Sequence, residues 1–150
     1  MAHTYTDLLF HVIFSTKDRA PLLDVKLKPR LFPYTGGIIR ELGGTALLIN
    51  GPNDHVHILA SLPAKTALSE IIGKAKANSS GWVHREFTEK QAFAWQTGYA
   101  AFSVSHSQKQ SVLDYIANQE EHHRKVSFQE ELITFLKKHE VEYDERYIFE

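Results

Sequence analysis

Thr45-Ala46-Leu47-Leu48-Ile49-Asn50 and Asp54-His55-Val56-His57-Ile58-Leu59 are two apolar runs of strand length, joined by Gly51-Pro52-Asn53. Asn-Gly-Pro-Asn is turn chemistry, so the two runs are predicted to form a β-hairpin. Along a strand, residues two apart share a face. His55 and His57 therefore point one way, while Val56 and Ile58 point the other and can be buried against helices.

Working outward, Leu8 to Ser15 is apolar, β-branched and aromatic, which predicts a buried first strand. Asp24 to Leu42 has helical spacing in Leu27, Leu31, Ile38, Ile39 and Leu42. Pro33 and Gly36-Gly37 interrupt that pattern, so the clean part of this helix is expected late, with Gly43-Gly44 ending it. Beyond the hairpin, Thr66 is expected to cap a helix through Leu68, Ile71, Ile72 and Ala75. Phe93 to Val104 returns to strand character, with Gly98 as a bend. A further helix starting at Ser107 or Gln108 turns Val112, Leu113 and Ile116 inward. Ser127-Phe128-Gln129-Glu130 is a capping box opening another, with Leu132, Ile133, Phe135 and Leu136 on one side. Val141 to Glu150 alternates acidic and aromatic residues and is expected to dock as an extended tail.

The element order is β-α-β-β-α-β followed by helices. It predicts an α+β, ferredoxin-like sandwich: an antiparallel sheet with helices on one face, plus C-terminal helices. Residues 1–150 are expected to form a single domain, with 127–150 as its C-terminal helix and tail.

The chain of 150 residues is 43% hydrophobic, enough for one ordinary core. With no cysteine, it has no disulfide framework, no thiol nucleophile and no cysteine-ligated metal. The start, Met1-Ala-His-Thr-Tyr, lacks a basic n-region, and no apolar run reaches the roughly 20 residues of a membrane span. No membrane partner and a cytoplasmic location are expected. Seventeen Lys and Arg against 18 Asp and Glu leave a net charge of -1, which gives no support for nonspecific phosphate binding. Contacts to nucleic acid must come from local patches, for which Lys17, Arg19, Lys74, Lys76, Arg124 and Lys125 are the candidates.

Tyr115 and Gln119 are four apart, which stacks a phenol and a carboxamide on one helix face, with His122 within about 60° of them. Two imidazoles and an amide oxygen would leave a divalent ion with open positions for a phosphodiester oxygen. Tyr115 beside that ion could then attack phosphorus and conserve the bond energy for rejoining. These are the parts of a DNA-cleaving transesterase. His122 is a possible auxiliary ligand or phosphate contact. Tyr99 is the rival nucleophile, although its place beside Phe102 reads as core.

Four segments carry a resemblance to a known family: Phe14-Ser-Thr-Lys17, Asn50-Gly-Pro-Asn-Asp-His-Val-His57, Trp95-Gln-Thr-Gly-Tyr-Ala-Ala-Phe-Ser-Val104 and Tyr115-Ile-Ala-Asn-Gln-Glu-Glu-His-His-Arg-Lys125. From about Leu8 onward the chain resembles the single-tyrosine transposases of small bacterial insertion sequences, members of the HUH superfamily named for the His-hydrophobe-His motif. The resemblance implies that His55, His57 and Gln119 are ligands of Mg²⁺ or Mn²⁺ and that Tyr115 is the nucleophile. It further implies a homodimer that cuts single-stranded DNA bearing hairpin ends through a 5′-phosphotyrosine intermediate. Three other readings remain open: a domesticated relative nicking host repeats, a nonenzymatic nucleic-acid-binding protein of the same fold, and a metallohydrolase using water.

Overall fold

The structure, a computed structural model, describes residues 3–150. Four strands, β1 (Leu9–Ser15), β2 (Thr45–Asn50), β3 (His55–Ser61) and β4 (Ala100–Val104), form one sheet in the order β2-β3-β1-β4. Every pairing is antiparallel, with Ser15 opposite His55 and Ile13 opposite His57. The helices are α1 (Lys28–Glu41), α2 (Leu68–Glu86), α3 (Lys109–Ala117), α4 (Gln119–His122) and α5 (Phe128–Lys138). This is the α+β, ferredoxin-like arrangement that the sequence predicts, and the β2-β3 hairpin is as expected.

The pleat sorts the side chains. Val12, Phe14, Val56, Ile58 and Ala60 pack with Ile38 and Ile39 of α1 and Ile71, Ile72 and Ala75 of α2, so these two helices share one face. On the other face, Ile13 and Phe102 meet Phe128, Leu132 and Leu136 of α5, with Tyr143, Ile148 and Phe149 of the tail packed alongside. A satellite cluster of Leu23, Leu27, Leu31, Val83, Phe87 and Phe93 closes one end of α1 and α2. The C-terminal elements thus cover the face to which His11, His55 and His57 belong, and all three histidines are buried.

Several local details differ from the sequence reading, each for a physical reason. α1 runs unbroken through Pro33 and Gly36-Gly37. Pro33 forfeits only a bond to the carbonyl of Pro29, in the first turn, and packing of Leu31, Thr35, Ile38 and Ile39 holds the rest. Gly43, at φ 92°, ends α1 in a Schellman arrangement: its N–H bonds the Arg40 carbonyl and the Gly44 N–H bonds that of Ile39. Thr66 is not the cap of α2, because the N-cap position falls on Ala67, which has no side-chain acceptor. Ser127 does cap α5, accepting from the Glu130 N–H while its hydroxyl donates to the Glu130 carboxylate. Only Ala100–Val104 of the fourth strand region pairs as β4, and α3 starts at Lys109 after one 3-10 turn. The tail ends in a turn rather than an extended run, and the Glu150 carbonyl accepts from the Gly98 N–H and Gln96 Nε2. Among the described residues, no helix is long and apolar enough to cross a membrane.

Gly51 sits where the hairpin re-enters β3. A Cβ there would overlap the His55 carbonyl oxygen and come within 3.0 Å of Val56 Cα, both backbone atoms that cannot yield cheaply. Gly51→Ala is expected to lower the unfolding free energy by about 2 kcal/mol or more in urea titrations. Gly37, with open space around its Cβ position on α1, is the control: Gly37→Ala should raise stability by about 0.5–1 kcal/mol.

Candidate metal and tyrosine site

The two strand histidines are oriented from behind. The Nδ1–H of His55 donates to the Asp54 carboxylate at 2.6 Å, and His57 Nδ1 is hydrogen-bonded to His11 Nε2 at 2.8 Å. Each bond fixes a ring and leaves its Nε2 facing the same space, as partners behind the ligands commonly do in metal sites. Into that space come two side chains from the C-terminal part of the chain, His123 and Glu131. One ligand atom from each of His55, His57, His123 and Glu131 lies within 4.8 Å of all the others.

Glu131 is the hub of the arrangement. Its Oε1 lies 2.8 Å from His57 Nε2, 3.1 Å from His123 Nε2 and 3.3 Å from His55 Nε2. Its Oε2 accepts from the Tyr115 hydroxyl and lies 3.1 Å from His122 Nε2, which is itself 3.1 Å from the Tyr115 oxygen. The structure therefore gives the two neighbouring histidines separate places: His123 joins the imidazole cluster and His122 stands beside the phenol.

α3 and α4 are separated at Asn118, whose φ of -99° and ψ of 21° break the continuous helix expected between Tyr115 and Gln119. The two side chains nevertheless stay close. Gln119 is fully buried, and its Nε2 donates to the Tyr115 carbonyl at 3.3 Å. Its Oε1 is, among the described residues, the one buried side-chain polar atom without a hydrogen-bond partner. An orphaned, buried amide oxygen one helical turn from Tyr115 fits a divalent cation. Asn50 Nδ2 donates to the Ile116 carbonyl at 2.9 Å and so ties the end of β2 to the tyrosine helix.

Burial sets the electrostatics. It pushes His57 down to about 4 and His11 down to about 3, so both imidazoles are neutral near pH 7. For His55 burial acts in the same direction, but Asp54 and Glu131 together outweigh it and the net shift is upward. Burial alone would raise Glu131, whereas His123, His55 and His57 hold its carboxyl well below the usual range. The Tyr115 phenol is pushed up, first by burial and then by the adjacent Glu131 charge.

Two cavities flank the cluster. One, of about 440 Å³, is lined by Tyr115, His122, Glu131, Phe135 and Lys138; the other, of about 540 Å³, reaches Asp54, His123, Lys28 and Arg124. The expected phosphate contacts are scattered relative to them. Lys17 and Arg19 lie in the turn after β1, with the Arg19 guanidinium 5.2 Å from the Phe149 ring centroid. Arg124 pairs with Glu121, while Lys125 shares a surface hollow with Tyr115 and His122. Lys74 pairs with Glu70 on α2, across the sheet from the histidines. Lys76 requires a correction: it is only 9% exposed, and its ammonium donates inward to the Thr97 and Gly98 carbonyls. Tyr99, read as core, is 37% exposed.

Sequence reasoning missed His11 and Glu131, and left His123 without a role. His11 could have been found from alternation, since it shares the face of Ile13 on β1. Glu131 carries no local signal beyond its place on the apolar side of α5.

Solved structures share this fold. A protein of Deinococcus radiodurans R1 with a provisional transposase description superposes with a TM-score of 0.65, at 21% identity over 79% of this chain and 96% of that one. A REP-associated tyrosine transposase bound to a REP hairpin gives 0.62, at 13% identity over 84% and 74%. No curated protein matches the sequence. The profile of the IS200-like transposases matches residues 4–119, and the chain belongs to that family.

Burial pushes Lys76 down to about 8 from its ordinary 10.5. Between those values the unfolded chain holds a proton that the folded chain has released, so this residue makes stability rise with pH across the window. Unfolding titrations at pH 7.5 to 10.5 should show this slope in wild type and its loss in Lys76→Met.

Proposed function

We propose that this chain cleaves and rejoins single-stranded DNA, with Tyr115 as the nucleophile and a divalent metal, Mg²⁺ or Mn²⁺, held by His55, His57 and Gln119. The observation that carries this reading is the position of Tyr115: its hydroxyl hydrogen-bonds to the same carboxylate that the histidine cluster surrounds. The metal, when bound, would polarise the scissile phosphate and stabilise the leaving 3′ oxygen. The chain's own residues do the rest. His55 and His57, held by Asp54 and His11, keep their Nε2 atoms aimed at one point. Asn50 and Gln119 fix the backbone around Tyr115. Glu131 and His122 hold the phenol and offer acceptors for its proton as the oxygen–phosphorus bond forms. The product is a 5′-phosphotyrosine with a free 3′ hydroxyl.

The substrate proposed is single-stranded DNA with hairpin ends. The hairpin bound by the REP-associated relative supports that choice, and so do the cavities of about 440 and 540 Å³ on either side of the cluster. Lys17, Arg19, Arg124 and Lys125 are the proposed phosphate contacts. The protein is proposed to act in the cytoplasm as a homodimer of a single domain spanning residues 1–150. In this structure Tyr115 lies beside the histidines of its own chain, which supports assembly of the site within one subunit.

The test is a covalent-adduct assay using labelled single-stranded DNA from the flanks of the gene, with Mg²⁺ or Mn²⁺ and with EDTA. Label is expected on denatured wild-type protein only with metal, and Tyr115→Phe and His55→Ala should reduce it by at least about 1,000-fold. An adduct persisting in Tyr115→Phe would assign the nucleophile elsewhere, with Tyr99 the first alternative. Cleavage without an adduct would mean that water attacks instead.

A further inference from the structure

We infer that His123 and Glu131 are additional ligands of the metal centre, making it a nitrogen-rich site that selects a first-row transition dication over Mg²⁺. The inference rests on the reading of His55 and His57 as metal ligands and extends it to residues that lie past the part of the chain matched by the family profile, which ends at 119.

The first argument is hydrogen-bond arithmetic. Three ring nitrogens, from His55, His57 and His123, converge on one carboxylate oxygen. Two of them, His55 Nε2 and His123 Nε2, are also 3.0 Å from each other. His55 already commits its other nitrogen to Asp54, and His57 commits its own to His11. Neutral rings meet most of this with hydrogen bonds, His57 Nε2–H to Glu131 and His123 Nε2–H to His55, but they leave the His55 lone pair facing the Glu131 oxygen at 3.3 Å with no proton between. A single dication satisfies it with every ring neutral, because each Nε2 then gives one lone pair to the ion.

The second argument is geometry. Donors around one ion at the usual metal–nitrogen and metal–oxygen lengths of about 2.0–2.2 Å stand roughly 3.0–3.5 Å apart. The closest separations in the cluster run from 2.8 to 3.3 Å, within one group whose members all lie inside 4.8 Å. The supporting contacts are also those of a ligand set. Both strand imidazoles are oriented by a partner behind them, and the second Glu131 oxygen is held by Tyr115 and His122.

Ligand chemistry then fixes the metal class. Imidazole nitrogen suits first-row transition ions such as Mn²⁺, Co²⁺ and Zn²⁺, whereas Mg²⁺ prefers oxygen and retained water. Three imidazoles, one carboxylate and the Gln119 amide give five donors. A six-coordinate ion so held keeps one position for a phosphate oxygen.

The experiment uses the full chain stripped of metal. Calorimetry with Mn²⁺, Zn²⁺ and Mg²⁺ measures affinity, and pulsed electron paramagnetic resonance of bound Mn²⁺ counts coordinated imidazole nitrogens. Wild type is expected to bind Mn²⁺ at least about 100-fold more tightly than Mg²⁺ and to show three nitrogens. His123→Ala should leave two, and both His123→Ala and Glu131→Gln should weaken Mn²⁺ binding by at least about tenfold. His122→Ala should leave the nitrogen count at three, because His122 stands beside the phenol and outside the imidazole cluster. Circular dichroism checks folding of each variant, and Glu131→Asp, which keeps the charge but shortens the reach, should bind with intermediate affinity. Two nitrogens in wild type, or Mn²⁺ affinity unaltered in folded His123→Ala and Glu131→Gln but lost in His55→Ala, would overturn this inference alone. Mn²⁺ affinity unaltered in His55→Ala and His57→Ala would overturn the underlying metal reading as well.

Discussion

A carboxylate with 3% of its surface exposed sits between a sheet and a helix layer, and the second half of the molecule is arranged around it. Removing one carboxylate from water costs several kcal/mol unless its lone pairs are met. Glu131 meets them with three imidazoles on one oxygen and a phenol and an imidazole on the other. Those partners come from β3, from α3 and from the segment around α4, so one buried charge fixes three pieces of chain relative to α5. The hydrophobic contacts of Phe128, Leu132 and Leu136 hold α5 on the sheet without choosing its rotation finely. The polar hub supplies that choice, because a small rotation would leave several buried groups unpaired at about 1–3 kcal/mol each.

The same hub explains why the histidine face is interior. An antiparallel sheet can leave one face to water. Here α1 and α2 take the Val56 and Ile58 face, and the C-terminal elements take the other. His57 therefore becomes a buried neutral base, while at His55, equally buried, Asp54 and Glu131 turn the net shift upward. A face open to water would have given ordinary surface imidazoles, half protonated near their usual value of about 6.5.

How much of this could be read from the sequence follows from the range of each interaction. The strand period of two placed His55 and His57 on one face before any tertiary contact was known, and the turn residues placed their hairpin. Local chemistry also located the Ser127 cap and the Gly43 stop. The readings that failed depend on what packs from a distance. Thr66 has the right chemistry for a cap, but the chain enters α2 one residue later. Lys76 looks like a surface charge until the loop at Thr97 and Gly98 folds over it. Glu131 occupies a position of α5 between Phe128 and Leu132, on the side that faces the sheet. A glutamate there reads as an interruption of an apolar stripe, and only the imidazoles arriving from residues 55, 57 and 123 give it a purpose.

The net charge of -1 at first argues against a protein that handles DNA. Whole-chain charge matters little at a buried site, because exposed charges are screened beyond about 10 Å in 0.1 M salt while a dication in a low-dielectric pocket is not. Three neutral imidazoles and one carboxylate would leave such an ion with a net positive charge facing the cavity where Tyr115 and Lys138 lie. The phenol in that cavity is held above its ordinary value first by burial and then by the Glu131 charge. A cation drawing on that carboxylate opposes the second cause directly. The ion that would attract the phosphate would thus also relieve the group that restrains the nucleophile, which couples the arrival of substrate charge to the readiness of Tyr115 through one side chain.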